Sequence, residues 1–405
     1  WPGLPFATVC RDFVASVPSG RNVTWCQKVV QDFLNKNPDK LSALYHYSPF
    51  SGLDLEFNLQ SLVNKADKAL LIINEDSSSL RLPENANLKK NKLHKRISGE
   101  KKSELFLAGA GSYTYAYVLP YLAQLYRNTV IDLNPFLANT MRDRFNFLHA
   151  DTSFSRAFKR LKEVKQPVVV IATYHSTHVE VAEEALQANP NARIFMEKPP
   201  VTTKGQLERL LKLRQDGGLI EIGYNRRYTK HLRLAKTALD ESDEPITITC
   251  IVKEKFLPLE HWYYWPTQGT RITGNLSHWI DLGIFLIREQ PLDMNLLSSS
   301  ERFPTDEAAI SVHFEGGSQL NLIASDRGNE LRGIQEFIDI RKGNVSVFIE
   351  DFLRLTIQKG GKKRVIKSLL RDKGHKNMYR SFLENCQNDS NFYYPNEDLR
   401  ISSLM

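Results

Sequence analysis

No stretch of this 405-residue chain approaches the roughly 18 uninterrupted apolar residues that a membrane-crossing helix needs. Its longest apolar runs, such as 168–172, have the length of a strand. The chain opens on Trp1, and its start lacks the charged segment and short apolar run of a secretory leader. With no initiator Met either, an upstream piece is expected to be missing. Cysteine is scarce: Cys10, Cys26, Cys250 and Cys386 lie far apart, with no CxxC and no pairing pattern. That excludes a disulfide scaffold and a cysteine metal site, and fits a reduced cytoplasmic protein with ordinary thiols. The net charge is +8, but the basic residues are scattered apart from clusters at 89–102 and 359–364. The first cluster reads as a solvated linker. No recognised binding motif accompanies either, so neither nucleic acid nor membrane is an expected partner.

What is present is ordinary in amount and regular in order. Hydrophobic residues make up 41% and charged residues 25%, enough for real cores, and the length suits two or three compact units. Residues 1–80 form an N-terminal region of uncertain fold, with a helix-like piece at 23–34 and a strand-like one at 69–74. Residues 81–103 are polar and breaker-rich, as a linker is. From 104 to 224, short apolar runs at 105–109, 129–133, 168–173, 193–196 and 219–223 alternate with helical stretches at 113–126, 177–188 and 204–215. Strands and helices alternating in this way predict a doubly wound parallel α/β sheet, a Rossmann domain. Over 225–405 strand-like runs dominate, at 246–256, 308–314, 320–325, 335–341, 345–352 and 353–358. Helices are expected at 274–288 and 376–386. This reads as an α+β domain with a large, mostly antiparallel open sheet.

The first αβ junction carries chemistry. Gly109 and Gly111 follow an apolar strand and precede a helix, with Ser112 and Tyr113 next. The first glycine permits a tight turn and the second lets a pyrophosphate approach the backbone. Thr114 stands where a third glycine would favour close strand–helix packing. Asp132 ends the next strand, about twenty residues on, where a carboxylate accepts hydrogen bonds from an adenosine ribose. A helix N-cap ahead of Pro135 is the competing role for Asp132. The ribose role predicts NAD over NADP, because a carboxylate there repels a 2′-phosphate.

Further motifs follow in order. Ala172-Thr173-Tyr174-His175-Ser176-Thr177-His178 leads into a helix, Met196-Glu197-Lys198-Pro199 ends a strand, and Gly223-Tyr224-Asn225-Arg226-Arg227-Tyr228 ends another. Then come Leu257-Pro258-Leu259-Glu260-His261-Trp262, the stretch from Gly269 through Asn275 and His278 to Asp281, and Asp372-Lys373-Gly374-His375. Together these resemble the Gfo/Idh/MocA oxidoreductases from about residue 104 to the C-terminus. The nearest resemblance is to the subgroup in which this module follows a zinc-alcohol-dehydrogenase-like half. Residues 20–74 are faintly similar to the tail of that half, without its zinc or nucleotide motifs.

The resemblance implies NAD bound by Gly109, Gly111, Ser112, Tyr113, Asp132, Thr173, His178, Glu197 and Lys198. It puts Lys198 at the nicotinamide, where an ammonium steadies an oxyanion, and makes His278 the proton carrier. Arg227, Tyr228, Trp262, Asn275 and Asp281 become substrate contacts, with Asp281 also able to orient His278 and Trp262 to stack on a sugar ring. The implied reaction is hydride transfer between NAD and a secondary alcohol of a sugar or sugar derivative, nucleotide-linked ones included, in a homodimer or homotetramer. Two departures stand out. Gly274 occupies a place where many relatives have Asp or Asn, and Asn275 one where the subgroup has Glu; an amide is neither acid nor base. Two rivals therefore stay open: NAD recycled during an epimerisation, elimination or glycoside cleavage, and a non-catalytic NAD or sugar sensor.

Overall fold

The computed structural model describes residues 103–257, 261–265, 267–298, 307–327, 333–387 and 394–405. The N-terminal region, its helix and strand pieces, the linker, Cys10 and Cys26 lie outside the described residues. Those described form one compact unit. Among them, no helix is long and apolar enough to cross a membrane.

The first sheet is parallel, with strands β1 (Glu104–Ala108), β2 (Tyr126–Ile131), β3 (His149–Asp151), β4 (Pro167–Ile171), β5 (Arg193–Met196) and β6 (Leu219–Ile222) in the order β3-β2-β1-β4-β5-β6. β4 is buried at every position, as expected of a central parallel strand covered on both faces. One face carries α2 (Phe154–Leu161), α3 (His178–Ala188) and α4 (Lys204–Gln215), whose apolar residues pack on Phe106, Val169 and Ile194. The other carries the segment after β1 and α1 (Pro135–Phe145). α1 begins on Asn134, whose side chain accepts from the N–H groups of Phe136 and Leu137, and it ends on Asn146 in the left-handed conformation.

The helix expected over 113–126 is shorter: a π-turn at Thr114–Val118 and a 3₁₀ turn at Leu119–Tyr121. Pro120 explains this, since it has no N–H to continue an α-helix.

After α5 (Lys230–Leu239) comes the second sheet, whose eight strands are β7 (Ile246–Lys253), β8 (Pro291–Ser298), β9 (Ala308–Phe314), β10 (Gln319–Ser325), β11 (Gln335–Lys342), β12 (Val345–Glu350), β13 (Arg354–Lys359) and β14 (Lys362–Lys367). Only β7 and β10 pair in parallel. β7 alternates, with Ile246, Ile248, Cys250 and Val252 inward. That inner face packs on α5 and α6 (Ser277–Ile287), while Ile251, Ile323 and Phe348 stay exposed on the other. β8 and β14 are edge strands that sequence periodicity passes over: β8 exposes Leu292 and Leu297, and β14 is a run of basic residues that reads as a turn.

The last two helices, α7 (His375–Gln387) and α8 (Asn396–Leu404), return to the first sheet. Tyr379, Phe382 and Leu383 join the core on its second face, and Leu399 joins that on the first.

Candidate active site

The glycine turn is fixed by space. Gly109 has φ +96°, and a Cβ there would lie 2.2 Å from the Ala172 carbonyl oxygen. A Cβ on Gly111 would meet nothing within 4 Å, so the turn leaves open room over its backbone. Thr114 does not weaken the junction as expected: buried beneath the turn, its hydroxyl donates to the Gly109 carbonyl at 3.0 Å. Ser112 is exposed at the turn's tip, and the Tyr113 hydroxyl reaches Glu197.

Asp132 follows β2 and accepts from Ala110 N–H at 2.7 Å and Asn134 N–H at 2.8 Å. Burial raises its pKa, and these two donors pull it back. The cap of α1 is Asn134, so the N-cap role does not fall to Asp132. Each carboxylate oxygen keeps a second lone pair for a hydroxyl. The open space at Gly111 beside this carboxylate fits a dinucleotide. Gly111→Val is accordingly expected to leave the melting temperature near that of the parent and to abolish NAD binding by calorimetry.

The β4 and β5 ends are clamped together. His178 bonds Pro199 O through Nδ1 at 2.8 Å and Thr173 O through Nε2 at 3.2 Å. Burial lowers its pKa to about 4, so the neutral ring, with one N–H, donates to only one of these two carbonyls while its other nitrogen lies against the second, bracing the turn that carries Lys198. Thr173 meanwhile accepts from the Thr177 hydroxyl at 2.8 Å. The Lys198–Pro199 peptide is cis. Glu197 is buried and accepts from the Tyr379 hydroxyl of α7 at 2.5 Å. Lys198 is half-buried, and its Nζ donates to the Gly274 carbonyl at 2.7 Å. Burial of the ammonium, opposed by Glu197 and reinforced by Arg226, brings its pKa to about 8.

His278 lies on α6, within electrostatic reach of Lys198, and its Nδ1 has no hydrogen-bond partner among the described residues. Burial, followed by Arg226, Lys198, His375 and Lys373, pushes its pKa well below the ordinary value. The proton-carrier expectation rested on titration near neutrality; in the fold that property belongs to Lys198.

Four expected substrate contacts are engaged elsewhere. Arg227 forms a two-pronged pair with Asp281 at 2.6 and 2.8 Å and a third bond to Asp398 at 2.6 Å. Asp281 also accepts from Tyr394, so its oxygens serve Arg227 and Tyr394 rather than orienting His278. The Tyr228 hydroxyl turns to Glu221 at 3.3 Å, and its ring lies in the first-sheet core. Asn275 donates to Glu254. Trp262 packs edge-on to His175 at 4.5 Å and beside Tyr174 at 5.3 Å.

Several further residues here were given no role in the site by the sequence, although His375 stands in one of its motifs. Glu336 is fully buried and collects Arg226, Trp279 and Lys373 at 2.7–3.1 Å. His375 meets Asn225 at 3.1 Å and faces Tyr113 and Tyr117. Gln268 ties its loop to Ser176 through bonds of 2.7 and 3.3 Å. The available signal was alternation: Glu336 shares the inward phase of β11 with Ile338 and Ile340.

A parallel sheet with a glycine turn and a strand-end acid at its carboxyl edge is the arrangement of a dinucleotide-binding Rossmann fold. Residues 106–224 match the Gfo/Idh/MocA family model, described as an oxidoreductase family with an NAD-binding Rossmann fold. Inositol 2-dehydrogenase of Salmonella paratyphi B is 33% identical over 78 residues, 19% of this chain. The match spans 23% of that relative's length. The fold is shared with UDP-N-acetylglucosamine 3-dehydrogenase from Acidithiobacillus ferrooxidans, with 20% identity over 75% of this chain and 95% of that one and a TM-score of 0.63. It is also shared with an oxidoreductase from Agrobacterium radiobacter in complex with NAD+, L-tartaric acid and magnesium, with 13% identity over 75% and 94% and a TM-score of 0.64.

Proposed function

We propose that the chain is an NAD-dependent oxidoreductase moving a hydride between the nicotinamide and a secondary alcohol or ketone of a sugar or polyol. The carrying observation is Lys198: a half-buried amine with a pKa of about 8, at the carboxyl edge of a sheet whose glycine turn leaves room for a pyrophosphate. A group that titrates so close to neutrality is suited to move a proton at working pH. NAD, when bound, supplies the hydride acceptor. In the oxidising direction the neutral Lys198 amine takes the hydroxyl proton, and the resulting ammonium steadies the oxygen as it becomes a carbonyl. His278, held neutral, offers its unpartnered Nδ1 as a hydrogen-bonding group for the substrate. Trp262, packed against His175, is the apolar surface we assign to a sugar ring. The similarity to an inositol dehydrogenase and the fold shared with a UDP-N-acetylglucosamine dehydrogenase support this substrate class.

The test is absorbance of NADH on mixing NAD and the purified chain with myo-inositol, UDP-N-acetylglucosamine and a panel of hexoses. One NADH per alcohol oxidised supports the reading. Turnover of a sugar with no NADH released would replace net oxidation by internal recycling, and retained binding without turnover would make the protein a sensor. Cofactor choice is a separate expectation. With Asp132 at the ribose, NAD should bind at least tenfold more tightly than NADP, about 1.4 kcal/mol. Equal affinities in a calorimetric titration would remove Asp132 from that role.

A further inference from the structure

The inward alternation of β7 runs through Ile246, Ile248, Cys250 and Val252, and the next position in phase, past the strand's end, is Glu254. Its side chain is therefore carried inward with the core residues, and Glu254 is 3% exposed. Its N–H donates to Ser325 O at 2.8 Å, which fixes the backbone. One carboxylate oxygen accepts from Asn275, and the other meets Arg271 at 3.4 Å. Burial pushes this carboxyl up, against Arg271, Asn275, Arg226 and Lys198.

Glu254 and Lys198 thus lie within electrostatic reach of each other, yet they form no direct ion pair. The lysine is held by the Gly274 carbonyl and the glutamate by the Asn275 amide, so two consecutive residues anchor an ammonium and a carboxylate that do not pair with each other. A buried carboxylate with one amide and one long contact is under-served, since an ionised carboxylate can accept several hydrogen bonds. A third group points the same way: His278 Nδ1, buried and without a partner among the described residues.

We propose that Glu254 is a specificity-determining residue, accepting a hydrogen bond from a second substrate hydroxyl next to the one that Lys198 engages, so that the site selects vicinal diols. This rests on the oxidoreductase reading above. The reacting hydroxyl has one proton, and the neutral Lys198 amine takes it, while a carboxylate only accepts. A second, neighbouring hydroxyl is therefore needed to donate to Glu254. A substrate lacking the second hydroxyl leaves the buried carboxylate short of a donor, and sites built to bond a hydroxyl reject analogues that lack it. Asn275 is explained by the same arrangement: a carboxylate at 275 would repel Glu254, while an amide anchors it.

The experiment uses the whole chain with NAD, and myo-inositol, cis- and trans-cyclohexane-1,2-diol and cyclohexanol as probes. Wild type is expected to oxidise at least one diol and to use cyclohexanol at least about 100-fold less efficiently in kcat/KM. Glu254→Gln should raise KM for the diol about 10- to 100-fold, lower kcat less, erase the preference over cyclohexanol, and leave NAD affinity unchanged. Wild-type KM in Glu254→Gln, or equal use of cyclohexanol by wild type, overturns the assignment and leaves the oxidoreductase reading standing. A wild-type chain that binds NAD and oxidises none of these probes overturns the diol assignment, and one that also oxidises nothing in the sugar panel above brings down both. If Glu254→Gln fails to bind NAD, and so has not folded, Asn275→Ala reads in its place. It keeps the carboxylate but frees it, and should raise KM for the diol about tenfold with no change for cyclohexanol. An unchanged KM for the diol in that variant overturns the assignment as well.

Discussion

Lys198→Met is expected to lower kcat for alcohol oxidation by about 10²–10⁴-fold, the usual worth of a positioned acid–base group, with NAD affinity nearly unchanged. Methionine keeps most of the side-chain length, so the loss reports the amine rather than a hole. The pH profile makes this specific. Burial places the Lys198 pKa at about 8, well below the ordinary lysine value. Oxidation requires the neutral amine, so the parent rate should climb with pH through about 8 and level off above it. Reduction requires the ammonium and should fall over the same interval. His278 stays neutral throughout that range, so His278→Asn should weaken the rate without moving the midpoint. Stopped-flow NADH absorbance between about pH 6 and 10, a window set around the Lys198 titration, reads both. A midpoint that persists in Lys198→Met would assign the proton to another group.

The second large effect lies away from the chemistry. Asp281→Ala is expected to cost about 3–5 kcal/mol of folding stability, because it strands a buried guanidinium. The Arg227 and Asp281 side chains are 1% and 0% exposed, and the arginine's remaining carboxylate partner, Asp398, is a rim residue. The double variant Arg227→Met/Asp281→Leu should recover much of the loss, since apolar groups of similar volume need no partner. Urea denaturation measures both. Were Asp281→Ala to raise KM and leave the unfolding midpoint untouched, the substrate contact implied by the family resemblance would stand after all.

That contrast shows what was legible in the sequence. Elements built on one strong period were: β9 and α4 fall where the pattern puts them, and the Gly109 turn, Asp132 and Lys198 occupy strand ends at one edge of the sheet. Pairing across the chain was not. Nothing local tells that Arg227 meets Asp281 and Asp398, or that Arg226 meets Glu336, because those partners arrive from other elements. Motif membership therefore marked out Arg227, Tyr228 and Asp281 without revealing that their polar groups are already engaged. Glu254 and Glu336 were detectable in principle as acids in the buried phase of a strand, a position that only a committed partner or ligand makes tolerable.

The return of α7 and α8 to the first sheet bears on how the protein is made. On the ribosome, the strands and glycine turn of the nucleotide-binding half emerge long before Tyr379, Phe382 and Leu399, which complete both of its faces. During that interval apolar surface on each side of β1 and β4 has no cover, and such surface is where aggregation and chaperone capture begin. Chains that stop short of residue 375 would carry every glycine and acid of the cofactor turn and still present it on an unfinished core. Premature termination anywhere in the second half is then a lesion of the first.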